Sequence, residues 1–337
     1  MKAAVAFAIV LALALAGAAM GASAGARESV GVLVPYLACF VFLAGICARM
    51  WRWAATPVPF RIPTTCGQQK SLAWIPSAKL ENPASGPAAA VRMGAEVLLF
   101  RSLFRNTRTD VAENRAYFGD AKLLWLAAIA FHWSMLVILL RHLRLFLEPI
   151  PGWVLLLQRA DGFFQIGTPE LYLSDLAFVA ALAYLLWRRF GDPAIRYISL
   201  ATDYLCLFLL LGAGVTGLLM RHFGKVDVAA IKQFALGLVT FSPVVPQTVG
   251  ALFFTHLMLV SALAAYFPFS KLVHMGGVFL SPTRNLANNS RMVRHVNPWN
   301  YPVKKHTYAE WEEEYRDKLK AAEIPMEAPD GRAARAH

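Results

Sequence analysis

The chain has 337 residues, 57% of them hydrophobic and 16% charged, against about 25% charged in an ordinary soluble domain. The bilayer is therefore the expected solvent, and a soluble globular enzyme is excluded. The net charge of +12 raises the question of nucleic acid, but in a membrane chain basic residues report topology first, and no nucleic-acid partner is expected.

Crossing the hydrocarbon takes about 20 apolar residues at about 1.5 Å each. Six stretches qualify, at 3–22, 30–50, 123–147, 171–187, 200–220 and 250–273. The first, with Lys2, a long Ala/Leu/Val run and Ala22-Ser23-Ala24, reads equally as a retained span or a cleavable signal peptide. The fold expected is an all-α membrane bundle of five core spans with the N-terminal segment as a sixth or as a signal peptide. The parts are an N-terminal segment 1–29, a membrane domain 30–280 that includes a long loop 51–121, and a tail 281–337.

If the second span runs from outside to inside, 25 of the 33 Lys/Arg face the cytoplasm and 7 face outward. The positive-inside rule then puts the loop and the C-terminus in the cytoplasm. Pro57, Pro59, Pro63, Pro76, Pro83 and Pro87 make the first half of that loop irregular. Val91 to Phe104 has the spacing of an amphipathic helix, and Thr307 to Ala322 that of a charged one.

Cys39, Cys47, Cys66 and Cys206 form no CxxC, so neither a zinc site nor an iron–sulfur centre is expected, and the absence of CxxCH excludes the usual covalent haem attachment. Four of the eight histidines lie in apolar spans: His132 and His142 in one, His256 and His274 in another. An imidazole in hydrocarbon needs a partner, and neutral imidazole is a standard axial ligand of haem iron. Two histidines on each of two antiparallel spans match two bis-histidine haems, His142 with His256 on the outer side and His132 with His274 on the inner. The bland alternative is that each histidine bonds helix to helix, and a rival class is a transporter using them as a proton relay.

The levels do not match in straight helices, since ten residues rise about 15 Å and eighteen about 27 Å, so tilt or a kink at Pro268 must absorb the difference. Gly212-Ala213-Gly214-Val215-Thr216-Gly217 satisfies GxGxxG, yet it lies inside a span with no preceding strand and reads as close helix packing. Arg159 and Asp161, in the outward connection, are the candidates for handling the protons or charge of a quinone. No other metal ligand or catalytic residue stands out.

The two histidine spacings, Phe267-Pro268-Phe269-Ser270-Lys271-Leu272-Val273-His274 and Arg188-Arg189-Phe190 resemble the membrane gamma subunit of respiratory nitrate reductase, a di-haem quinol oxidase. The stretches at 61–70, 98–105, 281–289 and 297–302 extend the resemblance to the DsrM family, the haem b subunits of membrane complexes linked to dissimilatory sulfite reduction. The resemblance implies two haems b, menaquinone as substrate, an inner-membrane location and a cytoplasmic iron–sulfur partner similar to heterodisulfide reductase. It also implies a periplasmic multihaem cytochrome c, an iron–sulfur subunit and a second quinone-interacting membrane subunit. Electron flow from quinol toward the cytoplasm is the expectation, with quinone reduction as the reverse.

Overall fold

In a computed structural model the described residues are 1–56, 78–112, 115–162, 170–281, 285, 287 and 306–326. The chain divides into two units, Met1–Thr56 with Arg61–Val293, and Pro57–Phe60 with Arg294–His337. The first is a helical bundle, built from α1 (Lys2–Ala22), α2 (Ala24–Glu28) running through a π turn into α3 (Val34–Ala54), α6 (Lys122–Phe146), α8 (Leu173–Gly191), α10 (Ala201–Leu219) and α12 (Ala251–Tyr266). The connections carry α4 (Gly86–Leu99), α5 (Arg101–Phe104), α7 (Gly152–Asp161), α9 (Pro193–Ile198), α11 (Val228–Val239) and α13 (His274–Gly277).

Among the described residues, five helical stretches are long and apolar enough to cross a membrane: Lys2–Ala22, Ala24–Ala54, Lys122–Phe146, Ala201–Gly224 and Ala251–Phe269. Helix α8, on the remaining expected stretch, has 19 residues but carries Asp175, Arg188 and Arg189. It packs against α6 and α10, and the Asp175 carboxylate turns inward to Arg141 instead of facing lipid. The structure adds an antiparallel hairpin, β1 (Thr107–Ala112) paired with β2 (Arg115–Asp120), which the sequence reading did not anticipate. The expected amphipathic helix 91–104 is in fact two, because Phe100 between α4 and α5 adopts a left-handed backbone (φ 50°, ψ 45°). In the second unit the charged helix is likewise two pieces, Tyr308–Glu314 and Arg316–Ala321, the first opened by a Thr307–Glu310 capping box.

Lipid gives helices no hydrophobic reason to associate, so close backbone approach does the work and small residues sit at the contacts. Helix α1 lies along α12, where Gly17 and Gly21 meet Met258 and the fully buried Phe254, and along α10, where Val10 packs with Leu209 and Leu259. Lys2 Nζ also donates to Ser199 O at 2.9 Å. The glycines of the GxGxxG stretch serve the same end: Gly212 faces Leu259 of α12 and Gly214 faces Phe178 of α8.

A Cβ at Gly21 would fall 2.5 Å from Phe254, whose ring has nowhere to go. Gly21→Ala should therefore destabilise the purified protein in detergent by about 1–3 kcal/mol in thermal unfolding. Gly94→Ala, with open space around it, should be neutral or stabilising. Equal behaviour of the two variants would mean that α1 is not part of the folded bundle.

Candidate functional site

On α6 the Cα–Cβ bonds tilt toward the N-terminus, so each histidine ring folds back over the preceding turn. His132 Nδ1–H donates to Ala128 O and His142 Nδ1–H to Ile138 O, each at 2.7 Å. A carbonyl can only accept, which sets the proton on Nδ1 and leaves Nε2 with its lone pair free. His274 Nδ1–H donates in the same way to Lys271 O at 2.8 Å. His256 uses a neighbouring helix instead: Thr216 Oγ1 donates to Gly212 O at 2.7 Å, so toward His256 Nδ1 at 2.9 Å it acts as acceptor. A Cβ at Gly217 would sit 3.5 Å from the His256 ring, in ordinary van der Waals contact, so the two helices pack closely beside that bond. All four histidines thus offer Nε2 as a metal ligand with the tautomer fixed from behind.

One pair of rings comes together: His132 and His274 have centroids 6.0 Å apart and are nearly perpendicular, at 85°. With an imidazole–metal bond of about 2 Å and about 1 Å from Nε2 to the ring centre, two rings sharing one iron have centroids about 6 Å apart. The helices that carry the rings pack mainly on other neighbours, α6 on α8 and α11, and α12 on α1, α3 and α10. His142 is exposed at the bundle surface. Among the described residues no group of three or more His, Cys, Asp or Glu is gathered, but haem iron asks the protein for only its axial ligands.

The difference in spacing is resolved by a break. Helix α12 ends at Tyr266, ten residues beyond His256, which is the same run of helix, about 15 Å, that separates His132 from His142. The chain then makes two 3-10 turns, Phe267–Phe269 and Lys271–Val273, on either side of Ser270 in extended conformation (φ −104°, ψ 176°). Buried Pro268 sits against Gly45 of α3, and Lys271 Nζ is 2.8 Å from the buried Asp203 carboxylate on α10.

Of the two quinone candidates, Asp161 is buried and Arg159 is exposed, so the structure does not bring them together. Both lie on α7. The Asp161 carboxylate takes Ser174 N–H at 2.8 Å, Ser174 Oγ at 2.6 Å and Arg141 Nε at 2.9 Å. Arg141 pairs also with Asp175, and its guanidinium lies 3.7 Å from the Tyr172 ring, which Arg221 covers at 4.1 Å. Asp161 is thus an anchor inside a buried ionic cluster and not a member of a solvated loop. The cluster was missed in the sequence, though Arg141 and Asp175 within apolar helices were its signal.

One turn beyond His142, a cavity of about 420 Å³ opens between α6, α7 and α11. Leu145, Ile150 and Leu155 form its apolar walls; Arg144, Gln158 and Lys232 are polar. Arg144 donates to Gln158 Oε1 at 2.8 Å, and Lys232 pairs with Glu148. Cys39, Cys47 and Cys206 are free thiols. Cys66, the 61–70 and 297–302 stretches and most of 281–289 lie outside the described residues.

The family model for the nitrate reductase gamma subunit matches residues 90–296, which include all four histidines. A cytochrome b-like subunit of an Hdr-like menaquinol oxidoreductase from Archaeoglobus fulgidus is 44% identical over 277 residues, covering 80% of this chain and 82% of the relative. Its counterpart from Archaeoglobus profundus is 42% identical over 275 residues, covering 79% and 81%. The chain is therefore a multi-pass membrane protein that belongs to the nitrate reductase gamma subunit family.

Proposed function

We propose that this chain is the di-haem cytochrome b subunit of a membrane quinol oxidoreductase, of the DsrM type, with His132 and His274 holding one haem and His142 and His256 the other. The observation that carries the reading is the four imidazoles fixed through Nδ1, two of which, His132 and His274, meet with ring centroids 6.0 Å apart. When bound, the haems supply one-electron transfer between a two-electron quinol and one-electron iron–sulfur carriers. The name of the Archaeoglobus relatives supports menaquinol as the substrate and a partner similar to heterodisulfide reductase. The finer assignments are a role in dissimilatory sulfur metabolism, quinol oxidation as the working direction, and a complex that also holds a periplasmic multihaem cytochrome c, an iron–sulfur subunit and a second membrane subunit.

The remaining side chains have definable tasks. The cavity beyond His142 has the size and apolar lining for a quinol ring, with Arg144, Gln158 and Lys232 as donors to its oxygens. It fits that role better than Arg159, and Asp161 serves it indirectly, by fixing Arg141 next to His142. Helix α8 crosses the membrane as well, which makes α6 and α12 antiparallel and puts both 25 of 33 basic residues and the His132/His274 end on the cytoplasmic side of the inner membrane.

Four outcomes test this reading. Acid-acetone extraction of the purified chain should release about two haems per polypeptide. His142→Ala and His256→Ala should each leave about one haem and share one spectrum, while His132→Ala and His274→Ala share another. A His142→Ala spectrum matching His274→Ala instead would overturn the pairing. A reporter fused after Ala322 should behave as cytoplasmic and one inserted at Gly167 as periplasmic; the inverse would exchange the two ends. Lys232→Ala should raise the KM for quinol about tenfold at unchanged haem content, whereas an unchanged KM would remove the cavity from the substrate path.

A further inference from the structure

Phe100 is the side chain at the histidine pairs whose position needs most explanation. It follows the last residue of α4 with φ 50° and ψ 45°, a backbone region that suits glycine and strains a residue with a side chain. The strain is held by what surrounds it. The Phe100 ring stands edge-on to the His132 ring, centroids 4.8 Å apart and planes at 85°.

The end of α4 is bound to α6 on both sides of that contact. The last carbonyls of a helix have no partner within it, and two indoles of α6 take them. Trp125 Nε1–H donates to Leu99 O at 2.7 Å and Trp133 Nε1–H to Leu98 O at 3.0 Å. Phe104, one turn past Phe100, lies against Trp125 at 4.9 Å. The segment is tied to itself as well: Arg101 and Arg105 pair with Glu81, and Ser102 N–H donates to Glu96 at 3.1 Å. A glycine at position 100 would let the same turn form without strain, so the turn does not explain the aromatic ring, and its contact with His132 does.

We infer that Phe100 is a positioning residue that covers the His132 side of the His132–His274 pair and raises the reduction potential of the haem held there by keeping water from it. The inference rests on the proposed ligation by these two histidines. Ferric haem with two neutral imidazoles carries one more positive charge than ferrous, so water near the ligand favours the oxidised form and an apolar cover favours the reduced one.

The test is a spectroscopic redox titration of the purified full-length chain, with the haem at this end identified as the one lost in His132→Ala. Phe100→Gly relieves the backbone and removes the ring. At the wild-type midpoint its ratio of reduced to oxidised haem at this end should fall about tenfold, a shift of ~59 mV for a one-electron couple. The other haem should not move. Phe100→Leu, which restores an apolar side chain, should fall less. Trp125→Phe with Trp133→Phe, which removes both indole donors, should shift the same haem in the same direction. If Phe100→Gly loses that haem, Phe100→Asn, which suits the same backbone and brings a polar group, is read in its place, and a midpoint equal to wild type overturns the inference. An unchanged midpoint in Phe100→Gly with both haems bound, or a shift confined to the other haem, overturns it equally. If His132→Ala keeps both haems, the ligand assignment fails instead, a result separate from any behaviour of Phe100.

Discussion

A polar ring in an apolar bundle must find a partner for each nitrogen or stay out, and the arrangement of this protein follows from how four imidazoles meet that demand. Three turn Nδ1–H onto a carbonyl of their own chain a turn behind. The fourth, His256, reaches Thr216 on α10, and that single bond dictates the contact between two helices. The helices can approach closely because Gly212 and Gly217 stand between them without side chains. In each case Nδ1 is taken and Nε2 is left free, which is what the proposed haem ligation asks of all four.

The second requirement is that the pairs be level. A straight continuation of α12 would carry His274 about 12 Å beyond the reach of its partner, since eight further residues at about 1.5 Å separate it from Tyr266. Proline at 268 removes one backbone donor, and Ser270 in extended conformation turns the chain out of the helix. Such a break leaves backbone groups to be satisfied inside the bundle, and Ser270 meets two of them, its Oγ donating to Phe267 O at 2.9 Å and accepting from Leu272 N–H at 3.1 Å. The segment is therefore fixed from α3 by the Pro268–Gly45 contact and from α10 by a buried carboxylate.

At the other end, a buried guanidinium performs the comparable task. Burying Arg141 is tolerable only because Asp161, Asp175 and Ser174 meet it, and removing one member of such a group typically costs about 3–5 kcal/mol. Its return is orientation: Arg141 fixes the rotation of α6 against α7 and α8, and with it the face on which His142 stands. The same network holds α7, one wall of the cavity beyond His142, in place.

The sequence by itself determined the class and nominated the residues for the chemistry. Apolar run lengths give the helices of the bundle, the charge distribution gives a membrane orientation, and four histidines in hydrocarbon name their own candidacy, because each is a local property or a spacing along one chain. Tertiary structure alone decided which atoms face one another. Thr216 behind His256, Phe100 on His132, and Asp161 with Arg141 instead of Arg159 are contacts between residues 32, 40 or 20 positions apart, and no periodicity encodes them. The split of the 91–104 helix and the break after Tyr266 were likewise hidden, since propensity favours continuing both helices. The interactions that end them come from α6, α3 and α10, which only the folded bundle brings alongside.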